Sequence, residues 1–308
     1  MRLRGRDYLS VDDLTPEEFS GLIGFARELK GRCAAGDRPA LLAGKTLAMI
    51  FEKPSLRTRV SFEVGMFQMG GMAVYLGPQD IQLGVREAIP DAARNLERMA
   101  DGIMARTFAH ATVTGLAEAA VVPVINGLSD HEHPCQALGD LLTIAERFPR
   151  LGEVRLAWVG DGNNVCHSLL LAAAKVGMTV TVATPQGYQP AAAVVARARE
   201  IAAATGGSVT LTGDAREAAR GADVVYTDVW ASMGQEAERE ERARIFRPYQ
   251  VNAGLLEAAR PTAVVMHCLP AHRGEEITDD VLDGPRAIVY DQAENRMHAQ
   301  KALLAMIL

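Results

Sequence analysis

Apolar and polar residues recur along this chain in two rhythms. The first has apolar positions three and four apart: Phe19, Leu22, Ile23, Ala26 and Leu29 fall on one face of a helix. Thr15 is suited to cap that helix, Pro16 to fill its first turn, and Glu17 and Glu18 to favour its positive end. The second rhythm is a set of short, continuous apolar runs, which read as strands buried on both faces. These predict strands at Thr46–Phe51, 73–76, 103–106 and 122–126, with helices at 58–69, 112–120 and 134–148. A second series follows, with strands at Arg155–Val159, Thr179–Ala183, 208–211, Val224–Thr227, 263–266 and 288–290. Helices are predicted at 165–176, at 191–204 and from about residue 292 to the end.

Buried strands alternating with helices predict parallel sheets covered on both sides. Two such series predict an α/β protein of two doubly wound domains, each with a central parallel sheet, joined by interdomain helices. The expected division is 1–133, a linking helix 134–148, and 149–291, with the closing helix 292–308 packing back on the first domain. A length of 308 residues accommodates two medium domains. In such sheets ligands sit beyond the carboxyl ends of the strands, so polar motifs that directly follow strands carry the functional argument.

Composition narrows the function. The chain is 48% hydrophobic and 23% charged, as ordinary globular proteins are. A net charge of −6 argues against general affinity for nucleic acid or acidic membranes, so an anion site must concentrate positive charge locally. No apolar run reaches the roughly 18 residues of a membrane helix. The basic start has no apolar stretch behind it, so a cytoplasmic location is expected. Cys33, Cys135, Cys166 and Cys268 form no CxxC pair, and His267, His272 and His298 show no metal spacing, so neither disulfides nor a metal are expected.

Six segments remain. Glu52-Lys53-Pro54-Ser55-Leu56-Arg57-Thr58-Arg59 follows a strand and opens a helix, whose free N–H groups suit a phosphate. Its three basic residues point to an anion site; a capped helix with solvated arginines is the alternative. Arg106 ends an apolar strand and, taken alone, reads as a side chain reaching solvent. His133-Pro134-Cys135-Gln136, taken alone, reads as a plain helix start with a surface histidine. Gly160-Asp161-Gly162-Asn163-Asn164-Val165 resembles a dinucleotide fingerprint but has Val165 at the third glycine, and no acidic residue closes the next strand. That disfavours NAD; Asn163 and Asn164 suit an amino-acid carboxylate instead. Asp228, just past a strand, suits an ammonium group, and Ser232-Met233-Gly234 reads as a mobile loop beside Trp230. Finally, Cys268 in His267-Cys268-Leu269-Pro270 reads as a thiol near cationic groups, and Leu269-Pro270 as a candidate cis bond.

Taken together and in order, these segments resemble the aspartate/ornithine carbamoyltransferase family over essentially the whole chain. The shared pieces are FEKPSLRTR from Phe51, DIQLG from Asp80, RTF from Arg106, HPCQAL from His133, GDGNN from Gly160, DVWASMGQE from Asp228 and HCLPAHRGEE from His267. The HPCQ and HCLP forms are similar to the ornithine branch rather than the aspartate branch. The resemblance implies transfer of the carbamoyl group of carbamoyl phosphate to the δ-amine of L-ornithine, giving citrulline and phosphate, in arginine biosynthesis or, in reverse, arginine degradation. N-acetylornithine and putrescine are the alternative acceptors. It implies an N-terminal carbamoyl-phosphate domain, a C-terminal amino-acid domain, no cofactor and a trimer or multiple of trimers. Implied carbamoyl-phosphate contacts are Ser55, Leu56, Arg57, Thr58, Arg106, His133, Pro134, Cys135, Gln136, Cys268, Leu269 and Arg296, with Gln82 lent by a neighbouring subunit. Implied ornithine contacts are Asn164, Asp228, Ser232 and Met233. Arg57, Arg106, His133, Asp228 and Cys268 are the implied catalytic groups. Leu56 stands where many members carry Thr, and Val85-Arg86 and Ala88 differ from the commoner residues after the Gln82 motif.

Overall fold

The computed structural model describes residues 3–231 and 236–308. The chain forms two compact units, residues 1–142 with 294–308, and residues 143–293. It leaves the first unit within the helix Pro134–Arg147 and returns to it within the helix Val289–Ile307.

The first unit is built on a four-stranded sheet of β1 (Thr46–Phe51), β2 (Met72–Leu76), β3 (Gly102–Arg106) and β4 (Val124–Leu128). Their order is β2-β1-β3-β4 and every pairing is parallel. Parallel neighbours need a crossover between them, which is why each strand is followed by helical chain. Strands β1, β3 and β4 are almost wholly buried, and Ile50, Ile103, Ala105 and Val124 pack with Val113 and Leu116 of the helix His110–Ala119. Strand β2 lies at the sheet edge and leaves Met72 and Val74 exposed. The first helix, Pro16–Ala34, has the predicted cap: Thr15 accepts from the Glu18 amide, and Glu18 answers at the Thr15 amide.

The second unit carries β5 (Arg155–Val159), β6 (Thr179–Ala183), β7 (Ser208–Thr212), β8 (Val224–Thr227) and β9 (Val264–His267). Their order is β7-β6-β5-β8-β9, again all parallel. The order reverses at β5, so the chain ends of β5 and β8 flank a switch point, where open α/β sheets bind ligands. Ala157, Val159, Val225 and Val265 form its core with Val251, Leu255 and Ile277.

One predicted element is absent. Residues 288–290 form no strand: Ala287 makes a single bridge to Val265, and Val289 already opens the closing helix. A short apolar run fits a buried helix turn as well as a strand, and here the helix wins. Among the described residues, the helices Ile89–Leu96 and Arg239–Phe246 and the short helices Pro78–Ile81, Ala215–Ala219, Ala253–Leu256 and Asp279–Leu282 carried no recognised signal.

Candidate active site

In the first unit the helix Leu56–Gln68 begins directly after β1. Ser55 is its N-cap, with its hydroxyl oxygen accepting from the Thr58 amide at 3.3 Å. That use leaves the Ser55 hydroxyl hydrogen to donate elsewhere. Leu56 and Arg57 occupy the first turn, where amide groups lack intrahelical partners. The Leu56 side chain is 74% exposed, so its backbone, not its side chain, belongs to this helix start.

Thr58 is buried, and its hydroxyl gathers two arginines. Arg296 Nη2 donates to Thr58 Oγ1 at 2.8 Å, and Arg106 Nη1 at 3.5 Å. Both guanidinium groups are buried, so Arg106 does not reach solvent as its segment alone suggested. The close approach of the last helix to Pro134–Arg147 depends on Gly139. A Cβ there would lie 2.9 Å from Arg296 Cγ and 3.1 Å from its Cα.

His133 is buried, which corrects the plain surface histidine of its isolated reading. Burial pushes its imidazole well below the usual histidine range, and Arg296, Arg106, Lys53 and Arg57 push it further. The ring is therefore neutral at ordinary pH and donates from one nitrogen only. Gln136 donates from Nε2 to Asp140 at 2.8 Å. Its Oε1 is buried with no donor among the described residues, an acceptor suited to an amide N–H. Cys135 is not a nucleophile: burial raises its thiol to about 12, and it donates to the Asn126 carbonyl at 3.3 Å.

Lys53 adds a fourth cationic side chain, beside Arg57, Arg106 and Arg296. It is buried with Nζ 4.8 Å over the Phe108 ring, and burial followed by the charge of Arg106 lowers it to about 8. Arg59, the third basic residue of the motif, does not join: it pairs with Glu63 at 3.0 Å and stacks over Tyr75. Gln82 stands exposed in a left-handed conformation, φ 46°, and its side chain makes no hydrogen bond among the described residues.

The second unit gathers a different chemistry past β5, β8 and β9. Asp228 accepts from Asn163 Nδ2 at 2.8 Å on one oxygen and from the Cys268 thiol at 2.9 Å on the other. The Cys268 thiol thus donates to a carboxylate. Asn163 makes this Asp228 contact and also caps the helix Asn164–Lys175. Asn164 is half-buried in that helix's first turn. Gly162 carries no Cβ because one would lie 2.2 Å from the Pro190 nitrogen. Asp161 next to it pairs with Arg242 at 3.0 Å, yet burial raises its carboxyl to about 6. Trp230 packs down, buried and stacked on Phe246. Ser232 and Met233 lie outside the described residues. The Leu269-Pro270 bond is cis.

Ligating atoms of Asp228, His267 and Cys268 lie within 4.8 Å of one another, as do those of His272, Glu275 and Glu276. Both nitrogens of His267 are already engaged, Nδ1 by the Leu269 amide at 2.8 Å and Nε2 by Glu276 at 3.1 Å. An accepting Nδ1 puts the proton on Nε2, which donates to Glu276 Oε1.

The first unit thus offers a cationic anion cradle with an amide acceptor, and the second a carboxylate–thiol pair. Sequence comparison matches the carbamoyl-P binding domain of aspartate/ornithine carbamoyltransferase to residues 6–146, and its Asp/Orn binding domain to residues 152–307. The chain belongs to the aspartate/ornithine carbamoyltransferase family. Among its carbamoyltransferase relatives is the ornithine carbamoyltransferase of Pyrococcus horikoshii, 56% identical over 99% of this chain and 96% of the relative. That of Anoxybacillus flavithermus is 55% identical over 100% of this chain and 98% of the relative. A solved structure of the Pyrococcus furiosus ornithine carbamoyltransferase superposes with a TM-score of 0.97 at 56% identity, covering 100% of this chain and 98% of that one. The family domain boundaries leave the His133 and Arg296 positions in different matched segments, while both residues lie in the first structural unit.

Proposed function

We propose that this chain is an ornithine carbamoyltransferase, moving the carbamoyl group of carbamoyl phosphate to the δ-amine of L-ornithine to give L-citrulline and phosphate. The observation that carries the reading is the Thr58 hydroxyl held by two buried arginines beside a neutral His133 and the open acceptor of Gln136.

In this reading the helix start at Ser55, Leu56, Arg57 and Thr58 takes the phosphate, by backbone N–H groups, hydroxyls and a guanidinium fork. Gln136 Oε1 accepts from the carbamoyl NH2. Arg106, His133 and Thr58 donate to the carbonyl oxygen as it becomes an oxyanion. Asp228 takes the ammonium of the acceptor amino acid, with Asn163, Asn164, Ser232 and Met233 alongside and Cys268 and Leu269 towards the reacting amine. The attacking amine must be neutral, whereas a free alkylammonium titrates near 10.4. Desolvation favours the neutral form. The amine nitrogen bonds the carbamoyl carbon, the carbon–oxygen bond to phosphate breaks, and the departing phosphate takes the proton the amine sheds. No separate strong base and no cofactor enters this scheme.

The same reading includes a homotrimer, or a multiple of trimers, in which Gln82 serves a neighbouring subunit. Exposed Leu56, Val60 and Phe67 on one helix, with Met72 and Val74 on the edge strand, support self-association. A cytoplasmic location and a place in arginine metabolism belong to the same reading. Among the described residues no helix is long and apolar enough to cross a membrane.

Incubation with carbamoyl phosphate and L-ornithine tests the proposal. Citrulline and inorganic phosphate should appear in equal amounts. Phosphate release without citrulline at any pH between 6 and 10, about the span from His to Lys titration, would overturn it.

A further inference from the structure

The imidazole of His133 is set by its neighbours in the chain, and one of these is a buried carboxylate. Glu132 is 2% exposed. A carboxylate out of water is costly unless donors meet it, and the donors here come from the far N-terminal segment. Ser10 Oγ donates to Glu132 Oε1 at 2.5 Å, and the Val11 amide to Oε2 at 3.1 Å.

That segment lies along β4 as an added edge. Tyr8 bridges Ile125, its amide donates to the Val124 carbonyl, and the Asn126 amide donates to the Tyr8 carbonyl. The fully buried Tyr8 hydroxyl donates to the Pro134 carbonyl at 3.4 Å. The strap is itself stiffened, since Asp13 accepts from the Leu9 and Ser10 amides at 2.7 and 2.8 Å. Ser129 closes the turn from below, its amide donating to the Glu132 carbonyl at 2.9 Å. The strap therefore grips the residue before His133 and the residue after it.

We propose that Glu132 is a positioning residue for His133, and that with Ser10 and Val11 it makes the N-terminal strap a clasp on the donor half-site. The inference rests on the carbamoyl-transfer reading. Glu132 touches no substrate in it. The Ser55–Thr58 helix start holds the phosphate independently of the strap. Loosening the clasp thus disturbs the group that meets the developing oxyanion and spares phosphate binding.

Glu132→Ala should lower kcat by about 10- to 100-fold, the scale of a small misplacement of a catalytic group, with KM for carbamoyl phosphate changed by less than about threefold. Ser10→Ala should lower kcat less, and the double variant should be no worse than Glu132→Ala, because Ser10 acts through Glu132. Glu132→Gln preserves shape and one acceptor oxygen, and should fall between wild type and Glu132→Ala; it carries the test if the alanine variant does not fold. A substrate-free readout separates this inference from the functional reading: the ring signals of isotope-labelled His133 should show one environment in the wild type and exchange broadening or several environments in the variants. A folded variant with wild-type kcat and an unchanged His133 spectrum would overturn the clasp. A wild-type protein that makes no citrulline would overturn the functional reading, while the His133 spectra still decide for or against the clasp.

Discussion

The two half-sites solve opposite electrostatic problems. In the first unit Lys53, Arg57, Arg106 and Arg296 crowd round one helix start, and their combined charge with burial keeps His133 neutral. In the second unit the central group is an anion, Asp228, met by the neutral donors Asn163 and Cys268. A cluster of like cations attracts an anion, and in the proposed reading that anion is the phosphate of the donor substrate. A carboxylate met by the neutral donors Asn163 and Cys268 suits a cationic ligand. The contrast matches the division between donor and acceptor substrates in the proposed reading.

The largest way to break the contrast is at Arg57. Replacing Arg57 by Gly should lower kcat by at least about 100- to 1,000-fold while circular dichroism and melting stay near wild type. Wild-type turnover would remove Arg57 from the cradle. Next is Asp228→Asn, which removes the anion and keeps the shape. Steady-state kinetics should show kcat/KM for ornithine reduced about 10- to 100-fold, the worth of one hydrogen bond to a charged group. Carbamoyl phosphate affinity, measured by calorimetry, should be unaffected. Equal damage to both substrates would erase the division of labour.

A smaller effect is expected from pH. Lys53 is lowered to about 8, so it is charged below that pH and neutral above it. One positive charge leaves the cradle as pH rises through 8, and KM for carbamoyl phosphate should climb across that range. Lys53→Met should raise KM at low pH and flatten the climb. An unchanged profile in that variant would assign the pH dependence to another group. The smallest effect is at Leu56. Its exposed side chain leaves only a backbone amide at the phosphate, so Leu56→Thr should alter KM by less than about twofold. A tenfold gain in affinity would show that a hydroxyl matters there.

The alternation of apolar runs and helical faces made the two parallel sheets legible, because strands buried on both sides leave an unbroken apolar signature. The segment at 288–290 carried the same signature and went into a helix, since burial alone does not distinguish the two. The half-sites were legible as motifs following strands. Their contacts were less so. Arg59 looked equal to Arg57 in sequence, yet two positions further round the helix it points at Glu63 and Tyr75. Asn163 and Asn164 were indistinguishable until the helix start made Asn163 the cap and turned it to Asp228. Gly139 gave no turn signal, being in mid-helix; its role is the close approach of Arg296 from 157 positions later in the chain. Glu132 and Ser10 were missed for the same reason, since nothing local joins residues 122 positions apart.

The most direct test of the central claim is the specificity constant, kcat/KM, for a panel of L-ornithine, N-acetylornithine, putrescine and aspartate at saturating carbamoyl phosphate. If Asp228 holds the α-ammonium group, ornithine should exceed every other acceptor by at least about tenfold, because N-acetylornithine lacks that charge and putrescine lacks the amino-acid head group. Equal or better turnover of putrescine or N-acetylornithine would contradict the assignment of the second half-site.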